Sequence, residues 1–187
     1  MTIICALRVD DGVWIGADGR ISERGDTICD EYPKWRQTRK GLWWATSGSI
    51  RLYTLVEETP DWGKDIINCR TLCECLRKLA IEDEWAKDED EKGSSVDYDF
   101  DALATDGREI IRFCGDGSFV RHRKTGDFPA YGSGRAFSMG AISAMRATQY
   151  SLSEDDDCQE IVENALNAAC DFDQSCGGTL FIKKVQL

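Results

Sequence analysis

The sequence predicts an α+β fold in which two antiparallel β-sheets are packed between helix layers, four layers in all. Segments of β-forming residues occur at both ends of the chain and in its middle, and pairs of helical segments separate them. Turn residues join neighbouring strands closely, which is typical of antiparallel pairing. The 187 residues suffice for one hydrophobic core, so a single domain over residues 1–187 is expected.

The N-terminal part opens with a predicted hairpin. Residues 2–9 (TIICALRV) and 13–17 (VWIGA) are rich in β-formers, and Asp10-Asp11-Gly12 between them is a turn signal. Short extended pieces are expected at 27–29 and 34–36. The apolar run LWWA at 42–45 has the length of a strand buried on both faces.

Two helices follow this strand in the prediction, and an acidic segment follows them. The first has Ser49 as its N-cap and Pro60 beyond its end, and the second has Thr71 as its cap. Their apolar residues recur at helical spacing: Leu52, Leu55 and Val56 in the first, Leu72, Leu76, Leu79 and Ala80 in the second. Residues 82–95 are mostly acidic, then Gly and Ser, and are expected to form an exposed loop.

The C-terminal half predicts a meander, two helices and a last strand. Strands are expected at 98–104, 109–114 and 118–122, with turns at Asp106-Gly107 and 115–117. A third helix is expected after Gly132-Ser133-Gly134 and a fourth over 157–172, with acidic residues in its first turn. Gly177-Gly178 precedes the last strand at 179–185.

Composition excludes several classes of protein. A net charge of −11 argues against nucleic-acid binding, which needs clustered Lys and Arg. No apolar run reaches the roughly 18 residues of a membrane helix and no signal peptide is visible, so a soluble cytoplasmic protein is expected. The grouping Cys69, Cys73 and Cys75 lacks the paired spacing of a zinc site. Reduced core thiols, no metal and no cofactor are therefore expected, and Cys5, Cys114 and Cys170 fall inside apolar patterns.

Catalytic chemistry that depends on histidine is unfavourable here. The single histidine, His122, lies in a basic turn-like stretch, and no nucleophile elbow, Walker loop, zinc-protease motif or dinucleotide fingerprint is present. A base other than histidine is the α-amino group, whose pKa of about 7.7–8.0 leaves part of it neutral at cellular pH. After removal of Met1, Thr2 would carry both this amine and a hydroxyl, a known base–nucleophile pair.

The residues around Thr2 extend the pattern. Thr2-Ile3-Ile4 leads through the hairpin to Asp18-Gly19-Arg20, and Asp18 lies sixteen residues after Thr2, as Lys34 lies sixteen after Asp18. Gly132-Ser133-Gly134 precedes a helix, and the segment 173–178 (DQSCGG) precedes the last strand. In this order, over nearly the whole chain, the sequence resembles the proteasome β-subunit family, including bacterial peptidase rings that work with an ATP-dependent unfoldase.

This resemblance implies a fold and a set of roles. The fold would be that of the N-terminal-nucleophile (Ntn) hydrolases, with Thr2 as nucleophile, Lys34 as its activating cation and Asp18 as the partner of Lys34. Ser133 and Asp173 would orient the amine of Thr2. Gly48 would supply the oxyanion N–H, with Thr46 or Ser47 as alternatives if the alignment shifts. Substrate-pocket positions would be Arg20, Thr46 and Ser49.

The resemblance also implies partners and leaves alternatives open. A polypeptide substrate, a homo-oligomeric ring and an ATP-dependent unfoldase are expected. One alternative is a catalytically silent ring subunit that retains Met1. Another is an Ntn amidohydrolase that cleaves a small amide, although such enzymes often begin with Cys or Ser. A redox protein is a further alternative, which no C-x-x-C motif supports.

Overall fold

The computed structural model describes residues 2–23, 26–38, 41–48, 50, 53–54, 57, 101–114, 118–147 and 151–187. The strands there are β1 (Ile3–Val9), β2 (Gly12–Ala17), β3 (Ile21–Glu23), β4 (Asp26–Cys29), β5 (Arg36–Gln37), β6 (Trp43–Ser47), β7 (Asp101–Thr105), β8 (Ile110–Cys114), β9 (Phe119–His122), β10 (Ala130–Gly132) and β11 (Phe181–Gln186). The helices are α1 (Arg135–Arg146) and α2 (Asp155–Phe172). Most of the helix predicted after Ser49, all of the one predicted from Thr71 and the acidic segment 82–95 lie outside the described residues.

The first sheet has the strand order β10-β1-β2-β11, and its pairings are antiparallel. The predicted opening hairpin is confirmed, because β1 and β2 pair from Val9↔Gly12 to Ile4↔Ala17. The last strand is confirmed too, and it pairs with β2 on the side away from β1. The opening hairpin therefore forms the centre of this sheet.

The second sheet has the order β5-β6-β7-β8-β9, and it contains the predicted meander. A separate two-stranded ribbon joins β3 to β4. The prediction missed β3 and β10, which have three residues each, too few to show an alternating pattern of apolar and polar side chains. Both strands are recognised only by their pairing, β3 with β4 and β10 with β1, in the folded chain.

The core explains why β1 is apolar on both faces from Ile3 to Leu7. Ile3, Cys5 and Leu7 pack in the cluster that contains the apolar face of α2, whereas Ile4 and Ala6 pack in the cluster that contains residues of the second sheet. Alternate residues of a strand point to opposite faces, so a strand between two layers must be apolar at every position. In the described residues, one face of β1 thus packs with α2 and the other with residues of the second sheet.

One glycine allows this close packing. A Cβ on Gly16 of β2 would lie 2.7 Å from Val162 and 3.0 Å from Leu166, both on α2. The helix can therefore approach the centre of the sheet only where the strand has no side chain. The end of β2 that carries Gly16 is therefore packed directly against α2.

The cysteine prediction is correct for Cys5, which is fully buried, but Cys114 and Cys170 are only partly buried. Cys69, Cys73 and Cys75 lie outside the described residues. In the part of the chain that the structure describes, no group of His, Cys, Asp and Glu has an arrangement that could hold a metal ion. The helices described there are also too short or too polar to cross a membrane.

Candidate active site

The antiparallel pairing of β1 and β2 brings Thr2 and Asp18 together. Thr2 directly precedes β1 and Asp18 directly follows β2, so the two residues lie at the same end of the hairpin. The ladder continues for one more bond there, since the N–H of Asp18 donates to the carbonyl of Ile3 at 3.2 Å. The separation of sixteen residues between Thr2 and Asp18 thus corresponds to the combined length of β1, β2 and the turn between them.

The Asp18 carboxylate is the centre of a buried hydrogen-bond cluster. Its Oδ1 accepts hydrogen bonds from the Thr2 hydroxyl at 2.8 Å, the Lys34 ammonium at 2.5 Å and the N–H of Ile3 at 2.8 Å. Its Oδ2 accepts from the N–H groups of Gly177 at 3.0 Å and Arg20 at 3.3 Å. Asp18 is 1% exposed. Five donors from four parts of the chain therefore fix this carboxylate, which excludes an ordinary surface turn.

Lys34 reaches Asp18 from the loop before β5. It is 4% exposed, so it is not a surface lysine that keeps its charge in water. The next residue holds the loop in place, because Trp35 is buried and its indole N–H donates to the carbonyl of Gly16 at 2.9 Å. Burial lowers the pKa of Lys34, and the adjacent Asp18 offsets part of that effect. The amine therefore holds its proton less tightly than an exposed lysine does.

A second polar cluster forms where α1 begins and α2 ends. The Ser133 and Ser175 hydroxyls are 3.1 Å apart, and Ser175 donates to Asp173 Oδ1 from its hydroxyl at 2.5 Å and from its N–H at 2.9 Å. Burial alone would raise the pKa of Asp173, but hydrogen bonds from Ser133 and Ser175 hold it below its usual value. Ser133 and Asp173 are thus joined through Ser175, a residue that sequence reasoning left without a role.

Strand β10 places this second cluster next to the N-terminal residue. The register Ile3↔Gly132 sets Ser133 at the position opposite Thr2. Gly132 has φ +106°, and a Cβ on it would lie 1.9 Å from the carbonyl oxygen of Thr2. Only glycine allows this approach, so Gly132 brings the segment that carries Ser133 against Thr2.

A pocket of about 60 Å³ opens beside Thr2. Its lining residues in the described part of the chain are Thr2, Arg20, Ile21, Ser22, Tyr32, Lys34, Thr46, Gly48, Ile50 and Tyr53. Two of the three positions expected to line a substrate pocket, Arg20 and Thr46, are in this set, and Ser49 lies outside the described residues. Thr2 and Lys34 thus face the same cavity as a set of polar and apolar side chains.

The wall of this pocket at the end of β6 contains Thr46 and Gly48, two of the three candidate oxyanion donors. Gly48 has φ +112°, a backbone conformation that favours glycine. The N–H of Thr46 already donates to the Tyr53 hydroxyl at 3.0 Å. This contact removes Thr46 from the three candidates and leaves Ser47 and Gly48.

Arg20 has contacts beyond the pocket, and His122 lies apart from the site. The Arg20 guanidinium donates to Asp30 Oδ1 at 2.8 Å, to the carbonyl of Cys176 at 3.1 Å and to that of Gln174 at 3.2 Å, so it joins the residue after β4 to the segment after α2. His122 lies on the outer strand β9 and is half-buried, and burial lowers its pKa. It belongs to neither of the two polar clusters.

Known structures resemble this one over nearly their whole length. BPH of Thiobacillus denitrificans, a bacterial proteasome homologue, aligns with a TM-score of 0.73 at 19% identity, covering 98% of each chain. The same protein in complex with epoxomicin gives a TM-score of 0.72 at 19% identity, over 99% of this chain and 100% of that one. The eukaryotic HslV from Trypanosoma brucei gives 0.65 at 17% identity, with 99% of each chain covered.

The chain has the proteasome-like Ntn-hydrolase fold. The resemblance expected from the sequence is thereby confirmed at the level of the fold. No protein-family model and no curated protein sequence matches the chain. At 17–19% identity, these likenesses show the fold alone.

Proposed function

We propose that this protein is an N-terminal-threonine peptidase subunit of the proteasome type, with Thr2 as nucleophile once Met1 has been removed. One observation carries the proposal. The Thr2 hydroxyl and the Lys34 ammonium both donate to the same buried oxygen of Asp18, at the wall of a pocket. A fixed cation beside a hydroxyl, close to an N-terminal amine, is an arrangement that activates a nucleophile without histidine.

Each step of an acyl transfer has a group to perform it. The free amine of Thr2 takes the hydroxyl proton, directly or through water, and the Thr2 oxygen attacks the scissile carbonyl. The charge of Lys34 favours the developing alkoxide, while Asp18 fixes the ammonium in position. Ser133 and Asp173 hold the amine in the orientation that it needs. The N–H of Gly48 stabilises the oxyanion, which is worth about 2.7–4 kcal/mol in a comparable site.

The leaving amine takes the proton that the Thr2 amine received, which leaves an ester between Thr2 and the acyl half of the substrate. Water then attacks this ester with the same amine as base, and Thr2 is restored. No metal or cofactor enters either half of the reaction. The two steps together use the hydroxyl and amine of Thr2, the charged pair Lys34 and Asp18, and one water molecule.

The structural neighbours support a peptide substrate and an oligomer. BPH was obtained with epoxomicin, an inhibitor, and HslV and BPH are threonine peptidases. We extend this to a homo-oligomeric ring of identical single-domain subunits in the cytoplasm that degrades unfolded polypeptides delivered by an ATP-dependent unfoldase. We also propose the four-layer αββα sandwich that the sequence leads us to expect.

The decisive experiment combines an intact mass with peptide hydrolysis. Protein lacking one methionine should hydrolyse unstructured peptides and should be inhibited by epoxomicin. Thr2→Ala should abolish turnover and leave assembly intact, whereas Thr2→Ser, which retains a hydroxyl and an amine, should retain part of it. Lys34→Ala should be nearly as inactive as Thr2→Ala. Thr27→Ala, which changes an exposed threonine on β4, is the control and should have full activity.

The possible results separate the alternatives. Full turnover in Thr2→Ala or Lys34→Ala would refute the mechanism. A full-length mass without turnover would favour a silent ring subunit that retains Met1, since the methionine would occupy the amine. Methionine loss with hydrolysis of small amides but not of peptides would favour an Ntn amidohydrolase.

A further inference from the structure

The edge of the second sheet next to the active site has an interrupted ladder. Strand β5 pairs with β6 through Arg36↔Trp44 and Gln37↔Trp43, and the N–H of Thr38 donates to the carbonyl of Leu42 at 2.8 Å. In this register each step along β5 moves one step back along β6. The pair after Arg36↔Trp44 that would exchange hydrogen bonds is therefore Lys34 with Thr46.

A tyrosine hydroxyl occupies the place of that missing bond. The N–H of Thr46 donates to the Tyr53 hydroxyl at 3.0 Å, and the hydroxyl donates to the carbonyl of Lys34 at 2.6 Å. The carbonyl of Thr46 also lies 3.0 Å from the hydroxyl, which has a single proton to give. The direct ladder bond from the Thr46 N–H to the Lys34 carbonyl is thus replaced by a bridge through one oxygen atom.

The Tyr53 ring is held so that this bridge is rigid. Tyr53 is 4% exposed, and its ring lies 4.8 Å from that of Trp44 and 5.7 Å from that of Tyr32. The Arg36 guanidinium lies 5.2 Å from the ring centre. Because burial raises the pKa of Tyr53, the hydroxyl remains protonated and can accept and donate at the same time.

We propose that Tyr53 is a positioning residue whose hydroxyl separates Lys34 from β6, and so sets where the Lys34 ammonium and the Gly48 turn stand relative to Thr2. The two backbones that it joins carry these two groups: Lys34 itself on one side, and on the other the strand that ends one residue before Gly48. If the hydroxyl were absent, the ladder would close, because a direct N–H···O bond needs only about 2.9 Å between its heavy atoms. The loop that carries Lys34 would then move by roughly 1–2 Å, a displacement that can cost about 100-fold in rate.

This inference rests on the proposed function for its kinetic part and on geometry alone for the rest. The test is Tyr53→Phe, which removes one oxygen atom and keeps the ring. The matched control is Thr105→Val, because the fully buried Thr105 hydroxyl likewise accepts from a backbone N–H (Gly107, 3.0 Å) and donates to a carbonyl (Glu109, 2.8 Å), in the turn between β7 and β8. Both variants should therefore unfold at a lower temperature than the wild type by similar amounts.

The two variants should differ in activity and in structure. With folded protein and a peptide substrate, Tyr53→Phe should lower kcat by about 10- to 100-fold with little change in KM, and Thr105→Val should have wild-type kcat. Crystal structures should show the Lys34 carbonyl shifted toward Thr46 in Tyr53→Phe and unmoved in Thr105→Val. Wild-type kcat in Tyr53→Phe, or an equal loss in both variants, would overturn the proposal.

The structures also separate this inference from the proposed function. If the wild type lacks turnover, the proposed function fails, and the position of Lys34 in crystals of Tyr53→Phe still decides the inference. Superimposable Lys34 and Gly48 positions in the wild type and Tyr53→Phe would refute it. If the wild type has no turnover to compare, a closed Lys34–Thr46 ladder in Tyr53→Phe would support it.

Discussion

Replacing Asp18 with asparagine tests the buried cluster most directly, because it keeps the shape of the side chain and removes its charge. Lys34 would then be a buried cation without its counter-ion, at 4% exposure. Breaking one partner of a buried pair typically destabilises a protein by about 3–5 kcal/mol. The asparagine NH₂ group would also face the N–H groups of Gly177 and Arg20, which donate to Oδ2 in the wild type, so one or two more hydrogen bonds would be lost.

The destabilisation caused by Asp18→Asn has an upper limit that depends on pH. Lys34 can lose its proton instead of remaining a buried cation, and doing so at pH 7 costs about 5 kcal/mol for a lysine with an ordinary pKa of 10.5 in the unfolded chain. A lysine whose pKa is lower in the folded state than in the unfolded chain destabilises the folded state at pH values below its unfolded pKa. This destabilisation disappears as the pH rises toward the unfolded pKa. The penalty in Asp18→Asn should therefore shrink by up to about 1.4 kcal/mol for each unit of pH above 7.

The assay is urea unfolding of the wild type and Asp18→Asn at pH 7, 8 and 9, at one fixed protein concentration because assembly would add to apparent stability. In a separate thermal unfolding experiment at pH 7, the Tm should fall by roughly 6–20 °C. Asp30→Asn is the control, since Asp30 pairs with Arg20 at an exposed site and its loss should cost at most about 1 kcal/mol. A loss under about 1 kcal/mol in Asp18→Asn, or one that does not change with pH, would refute the account of this cluster.

Two further predictions test the neighbouring parts of the site. Gly132→Ala should lower the free energy of unfolding by at least about 2 kcal/mol, because the residue has φ +106° and its Cβ would meet the Thr2 carbonyl; wild-type stability in denaturant unfolding would contradict this. Cys176 is fully buried, and burial raises its pKa to about 12, so in the native protein it should resist alkylation at pH 8, whereas in urea it should react. Peptide mapping by mass spectrometry checks this, and rapid native labelling of Cys176 would contradict it.

The local elements of this protein could be predicted from the sequence because each has a strong local signal. The hairpin has two β-rich runs around Asp10-Asp11-Gly12, and α2 has an apolar face with acidic residues in its first turn. The family resemblance that includes the spacing from Thr2 to Asp18 and on to Lys34 also indicated the candidate site. That spacing follows from the lengths of β1, β2 and the loop beyond them, which are properties of the chain itself.

Other parts of the site could not be predicted because they depend on distant residues that meet only in the folded chain. Ser175 and Gly177 contact the site through their positions after α2, and no pattern around them indicates that one joins Ser133 to Asp173 and the other donates to Asp18. The role of Tyr53 could not be predicted either, because its hydroxyl bonds to the backbone of Lys34 and Thr46. Backbone groups are the same in nearly every residue, so the sequence does not show which of them are partners.

The sequence by itself indicated a candidate nucleophile, its candidate acidic and basic partners and the strand–helix order that brings them together, because these depend on residue type and on spacing along the chain. Only the tertiary structure decided how the groups are used. It gave Asp18 five donors, buried Lys34 enough to lower its pKa, and committed the Thr46 N–H to Tyr53. The physical reason is that burial, hydrogen-bond direction and electrostatic environment are sums over neighbours in space, and in this fold most neighbours of the site come from remote segments of the chain.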